Sequence, residues 1–466
     1  MDLLIIVLAL VALIFVAYRG FSVILFAPII ALVAVLLTQP IGVLPAYTAV
    51  FMQKASEFMR NYFPIFLLGA VFGKLIEISG FSKSLVAYCF KLFGPKHSVL
   101  ALLVVTSILS YGGISVFVCV FAVYPFAAEI FRRADIPKRL IPGLIWLGSG
   151  TYTMDAFPGS PQIQNIIPGR TFNTDTYAAP ILGIIGGLIV LIGGYAYFAW
   201  ARKKAAAKGE GYDSFGQQLV NEPAPYDGEK LPPVIFAVLP LIVVCVANLL
   251  FTKFFVEGIW GKEFTLFFEG GKDPALTMKP DPSLWAVQIA LFSGALLTFI
   301  FGFKEIIKTF SESTKAAVSG SLLAIMNTSS EYGYGSVIAA LPGFVVLQHI
   351  LAGIPNPLLN EMVTVTTLAG IVGSASGGLS IALGAMGETY VELAKSSGID
   401  PQVFHRVAAM ASGGMDSLPH NGAVITLLAV TGLTHKQAYG PIFFLTVLKS
   451  LAAIAVITIF YLTGLV

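Results

Sequence analysis

The residues of this sequence best equipped for chemistry lie in four short polar interruptions of otherwise apolar segments. Two interruptions carry an aspartate each: Asp155 in DAFPGSP (155–161), and Asp416 in DSLPHNG (416–422). An ionisable group inside a membrane segment costs ~2.5–3.5 kcal/mol even on the insertion scale, and is by default a sign of function. Each Asp is a candidate to hold a coupling ion. Alternatively, each accepts backbone N–H bonds as the cap of the half-helix that follows it. Thr153, Pro158, Gly159, Ser160, Gln162 and Asn165 surround the first, and Ser417, Pro419, His420 and Asn421 the second. His420 suits a substrate carboxylate or a proton relay, or an ordinary structural hydrogen bond. The other two interruptions are rich in small residues: Ser110, Gly112, Gly113 and Ser115, then Ser374, Ser376, Gly377 and Gly378. Glycine permits a tight hairpin tip and serine adds donors, so both read as substrate-binding tips; the plainer reading is a helix-packing patch. Asn327, Ser329 and Glu331 end another apolar run and are candidates to line a path or form an interfacial loop.

The surrounding chain must be membrane-embedded for these breaks to mean anything. Of 466 residues 56% are hydrophobic and 11% charged, with a mean hydropathy of +0.84. A soluble domain carries about 25% charged residues, so most of this surface faces something other than water. Apolar runs long enough for a ~30 Å hydrocarbon core recur throughout. The net charge of +3 gives no argument for nucleic acid. Cys89, Cys119 and Cys245 sit inside apolar runs as small hydrophobes, and no HExxH, P-loop or haem motif is present; no metal or other cofactor is expected. In lipid an unsatisfied backbone group costs several kcal/mol, so non-helical backbone at depth persists only where it is buried in protein or lines a wet cavity. Half-helix N-termini at such breaks favour anions, and free carbonyls at the opposing ends favour cations, a recurring arrangement in secondary transporters.

The segments repeat in order. Helices are expected at 2–18, 21–38 and 60–78, then a weaker stretch at 80–93, a re-entrant hairpin at 97–133, a broken helix at 138–167 and a helix at 178–201. A polar linker covers about 205–230. The second half runs 231–251, 284–303, 314–330, a weaker 335–352, a hairpin at 358–396, a broken helix at 400–432 and a last helix at 438–464. The stretches ADIPKRLIPGLIWLGSGTYTMDAFPGS and SGIDPQVFHRVAAMASGGMDSLPHNG resemble one another, each with Ile, then Pro, a helical run, a small-residue patch and Asp-x-x-Pro. The expected fold is therefore an all-α integral membrane protein of two inverted repeats, 1–204 and 231–466. Each repeat has about five transmembrane helices plus one re-entrant hairpin, with broken helices at the midplane. Five crossings per half turn the second half upside down. With the N-terminus outside, inside regions hold 18 of the 28 Lys and Arg, in keeping with the positive-inside bias. The linker is then cytoplasmic and the C-terminus outside, in a multi-pass protein of the plasma (inner) membrane.

The stretches YGGISVFV, DAFPGSPQIQN, ALPGFV, GSASGGLSIALGAMGE, HRVAAMASGGMDSLPHNGAVITLL and GLTH resemble the gluconate permease (GntP-type) family of the ion transporter superfamily, most closely its hydroxybutyrate-permease-like branch. The resemblance spans nearly the whole chain. Where gluconate carriers have a Pro-Pro-His-Pro-Gly-Pro type break, this chain reads DAFPGSPQ, which points away from gluconate itself. The resemblance implies a homodimer, a static scaffold with a mobile domain containing hairpins and breaks, and elevator-type uptake of a small organic anion with protons or sodium. The function expected is symport of a hydroxy- or keto-carboxylate such as 3-hydroxybutyrate or a sugar acid. The alternatives are a sodium/proton antiporter of the same superfamily and, from another class, an intramembrane aspartyl protease. The protease lacks its usual Gly-x-Gly-Asp pattern here, since the chain reads Gly413-Gly414-Met415-Asp416, and no enzyme is expected.

Overall fold

A computed structural model describes residues 2–19, 21–94, 97–213, 222–223, 231–255, 258–259, 263–267, 275–278, 281–346, 353–419 and 421–466. The chain is an all-α membrane protein. Its first half comprises α1 (Asp2–Tyr18), α2 (Val23–Thr38), α3 (Gln53–Ile78) and α4 (Phe81–Phe93). Next come α5 (Ser98–Tyr111) and α6 (Val116–Arg133), the short pieces α7 (Leu140–Ser149), α8 (Tyr152–Asp155) and α9 (Ile167–Phe172), and α10 (Pro180–Ala207). The second half comprises α11 (Val234–Leu250), α12 (Pro282–Ala340), α13 (Pro357–Val372), α14 (Ala375–Ser397), α15 (Pro401–Ser412), α16 (Gly422–Thr431) and α17 (His435–Thr463). Two strands, β1 (Phe264–Phe267) and β2 (Ala275–Met278), pair antiparallel in the segment between α11 and α12.

The apolar residues divide between inside and outside as a lipid solvent requires. Small residues fill the contacts where helices approach closely: Gly143 and Gly194 lie against Phe198 and Leu147, and Gly183, Gly186 and Gly187 of α10 against Arg406, Met410 and Phe157. Large apolar side chains such as Leu8, Leu37, Ile192, Ile242, Phe292 and Leu451 point outward. In water such a surface would drive association; in a bilayer it costs nothing.

One expectation is corrected. Residues 304–315 are not a loop between two helices, because α12 is helical throughout its 59 residues. The sequence KEIIKTFSESTK contains no Gly or Pro, the two residues that break helices most, so the backbone stays helical through the bend. The axis nevertheless turns back. Gly294 packs on Phe72 and Gly302 on Ser79, whereas Gly333 packs on Phe51 and Tyr332 on Phe58, further back along α3. The rings of Phe299 and Phe310 lie 5.5 Å apart, although eleven residues of straight helix span about 16 Å. The expected weaker stretch at 335–352 is also redrawn: 335–340 end α12, 342–346 are helical, and 347–352 lie outside the described residues.

On the linker side of the protein, a polar network anchors the end of α10. Arg139 binds Glu210, with Nη2 to Oε2 at 2.8 Å, and the Asp135 carboxylate accepts from the Tyr212 N–H at 2.9 Å. Buried Lys138 meets Glu222 at 2.7 Å, and Arg132 pairs with the same carboxylate. The hydrogen bond from Arg139 holds the Glu210 carboxyl below its ordinary range.

Candidate functional site

The two expected breaks are present, and each exists because a helix stops and its loose backbone groups find side chains. The last four carbonyls of a helix have no partner within it. At the end of α7, Trp146 O accepts from Gly150 N at 2.7 Å, Leu147 O from the Thr151 hydroxyl at 2.5 Å, and Gly148 O from Thr153 at 2.8 Å. Ser149 O accepts from Ser110 at 3.0 Å, so the tip of the α5–α6 hairpin closes this helix end. Gln162 reaches the same tip, donating to Ser110 O at 2.8 Å and Ile114 O at 3.3 Å. Ser160 donates to Thr153 O at 2.5 Å, and Asn165 bridges Ser160 O and Thr176 O at 3.0 and 2.8 Å. Gly159 adopts φ +77°, open to glycine at little cost, and its carbonyl accepts from Asn248 at 2.9 Å.

The second break is built the same way. Thr366 of α13 donates to Ala411 O at 2.9 Å and Ser450 of α17 to Gly414 O at 3.0 Å. Asn421 caps α16 through Val424 N at 2.8 Å, and its amide donates to Gly373 O and Asp416 O, both at 2.8 Å. That bond ties the α13–α14 hairpin tip to its own break. Ser417 pairs with the Thr446 hydroxyl at 2.8 Å. His420 lies outside the described residues.

The aspartates meet at one lysine. Lys449, at the centre of 29-residue α17, donates to Gly150 O at 3.0 Å and to Asp416 Oδ1 at 3.3 Å, and stands 3.2 Å from Asp155 Oδ2. All three side chains are buried, at 2–4% exposure. Asp155 Oδ2 is paired with the Lys449 ammonium at 3.2 Å and has no other polar partner. Gly413 makes this approach feasible: a Cβ there would overlap both Asp155 Oδ2 and the Lys449 ammonium. Neither Asp caps a helix. The cap of α16 is Asn421, and α9 begins after Ile166 with no side-chain cap, which sets the capping alternative aside.

A second buried cation supports the first break. Arg406 of α15 is wholly buried and spends its donors on neutral oxygens: Asn165 Oδ1 at 2.9 Å, Ala178 O at 2.7 and 3.1 Å, and Asp155 O and Thr176 O at 3.4 Å. It brings a second positive charge beside Asp155. Lys449 and Arg406 are the residues the sequence reading missed. The available signal was a single Lys inside an otherwise apolar final helix.

The hairpin tips hold helix starts. Ser115 caps α6 through Val118 N at 3.5 Å, and Ser374 caps α14 through Gly377 N at 3.1 Å, with Ser376 3.4 Å from Ser374. Gly112 and Gly113 lie against Leu241 and Leu291, and Gly378 against the Ala369 backbone. Among the described residues no hydrogen bond joins one tip to the other. Of the path-lining candidates, Ser329 and Glu331 are buried in α12, and Asn327 is on the same helix, part-buried. A protease dyad needs two carboxylates sharing a proton directly; here an ammonium stands between them.

A multi-pass helical membrane protein with a charged cluster buried between two broken helices has the makings of a transporter. No protein-family model matches the chain. It is 50% identical, over 475 aligned positions covering all of both chains, to a Bacillus subtilis (strain 168) protein named "Uncharacterized transporter YxjC". The chain belongs to that transporter's family.

Proposed function

We propose that the protein is a secondary active transporter of the gluconate permease (GntP-type) family that imports a small hydroxy- or keto-carboxylate, such as 3-hydroxybutyrate, coupled to protons or sodium. The observation that carries this reading is the cluster at the breaks. Asp155 and Asp416, equivalent residues of the two halves, converge on Lys449, at 3.2 and 3.3 Å. A proton or sodium ion that takes the place of the ammonium at either carboxylate alters the charge balance between two helices interrupted at matching points.

The inverted repeat is supported by parallel neighbours: α6 packs on α16 as α14 packs on α9, and α5 packs on α7 as α13 on α15. In this reading the hairpins and breaks form the mobile body, and α3, α11 and α12 belong to the scaffold of a homodimer in the plasma membrane. The N- and C-termini are outside and the linker is cytoplasmic. Ser and backbone N–H groups of the tips and breaks hold the substrate carboxylate.

The test is uptake into proteoliposomes of a panel of labelled small carboxylates, with proton and sodium gradients imposed separately. Accumulation of one acid class under one gradient supports the proposal. Sodium/proton exchange with no uptake of any acid replaces it with the antiporter.

A further inference from the structure

We propose that Glu331 is a protonation-sensitive latch between α12 and α14, its carboxyl neutral while the two helices touch and exchanging its proton with outside water when they part. This rests on the transport reading above, and adds a proton-sensitive contact between its mobile body and its scaffold. Glu331 lies on the returning limb of α12, is 6% exposed, and makes no hydrogen bond or ion pair; its Oε2 is enclosed without a partner. The carboxyl sits over the first turn of α14, where a Cβ at Gly377 would overlap Oε2. Gly335 lies one turn on, against Ile381. The two helices therefore touch through glycines, with an acid closed between them.

Among the described residues no cation pairs with this acid and no backbone N–H donates to it: Arg170 of α9 faces Asp281 at 3.7 Å, and the Gly377 N–H in the first turn of α14 donates to the Ser374 hydroxyl at 3.1 Å. On α3, Lys54 is taken by Glu57 at 3.1 Å. The helix α2 carries no ionisable residue. On α13 and α14 the nearest acids are Glu361 and Glu388. Each is eleven residues, about 16 Å of helix, from the contact at Val372 and Gly377. An uncompensated carboxylate in such surroundings is costly, and the neutral acid is the form that fits.

A water route is at hand. A cavity of about 260 Å³ opens between α3, α9, α12 and α14. Its lining includes Tyr332 and Ser380, one turn on from Gly377, together with Asn61, Tyr62 and Arg170; the Glu331 carboxyl is closed off from it while α12 and α14 touch. Separating α14 from α12 hydrates the Glu331 carboxyl, which releases its proton to water; closing the contact requires a proton to be taken up again. Glu361 also has unpartnered oxygens, but it lies within the α13–α14 hairpin with Tyr390 of the other arm as its neighbour. Its surroundings travel with it when the hairpin moves as a unit.

The experiment uses the full chain in proteoliposomes treated with dicyclohexylcarbodiimide, which modifies protonated carboxyls in apolar surroundings. Modified peptides are quantified by mass spectrometry across a pH series. No substrate is needed, so the outcome is separable from success or failure of the carboxylate screen. The expected result is modification of Glu331 that falls at least several-fold as pH rises and is absent in Glu331→Gln. In Gly377→Ala, whose methyl displaces the carboxyl from its closed contact, the fall should come at lower pH. Absence of modification at Glu331, a yield independent of pH, or protection by sodium at constant pH would overturn the proposal.

Discussion

Replacing Lys449 by Met keeps an unbranched side chain, one atom shorter, and removes its charge. Lys449 stands 3.2 and 3.3 Å from two buried carboxylates. At an effective dielectric of 20 each contact is worth about 5 kcal/mol of attraction, most of it offset by the desolvation of the three groups. Breaking a buried pair by removing one partner costs about 3–5 kcal/mol, because the other charge is left behind. The Gly150 carbonyl also loses its donor, worth about 1–3 kcal/mol. Lys449→Met should therefore lose at least about 3 kcal/mol, measured by denaturant unfolding of the purified protein in detergent. Asp416→Asn added to Lys449→Met removes the stranded charge and should restore part of that loss, giving a coupling of about 1–3 kcal/mol in the double-mutant cycle. A Lys449→Met protein as stable as the parent, or a cycle with no coupling, refutes the charged cluster as the element joining the two breaks.

The topology is checked by cysteine labelling in a Cys89, Cys119 and Cys245→Ser background. Lys203→Cys and Glu263→Cys, both exposed, should react with a membrane-impermeant maleimide from opposite faces of the membrane; reaction from one face removes the inverted arrangement. The Glu210–Arg139 contact gives a pH prediction. The Glu210 carboxyl is held low by Arg139, so its contribution to stability is present above its unfolded-state value, near 4.3. It is lost as pH falls through the lower folded value. Proteolysis at the end of α10 should accelerate in acid, and Glu210→Gln should show the fast rate already at neutral pH. If the acid and neutral rates match in the parent, the contact does not anchor this segment.

Much of the fold was legible because a bilayer imposes few options. Apolar runs marked the helices, and the tip glycines and Asp-x-x-Pro marked the breaks to within a few residues. The bend of α12 was not legible. Charged residues at 304–315 signalled a turn, but without Gly or Pro the backbone stays helical through it. In the site, Asp155 and Asp416 stood out by charge, whereas their meeting at Lys449 depends on α17 passing between the two breaks, which no local pattern records. The hydroxyls of Thr153 and Ser110 looked like path and substrate ligands. In the structure they first serve the open end of α7, a role that spacing alone could not separate from binding.

The central claim is that the buried aspartates couple transport to an ion gradient, and uphill uptake tests it directly. Asp155→Asn and Asp416→Asn are reconstituted, and accumulation of the acid identified in the screen is measured against the parent under an imposed gradient. The same vesicles are assayed for exchange of labelled for unlabelled acid. Loss of gradient-driven accumulation in at least one variant, with exchange retained, is the predicted result. Full uphill uptake in both variants would contradict the account and leave the cluster as a structural pin between the two halves.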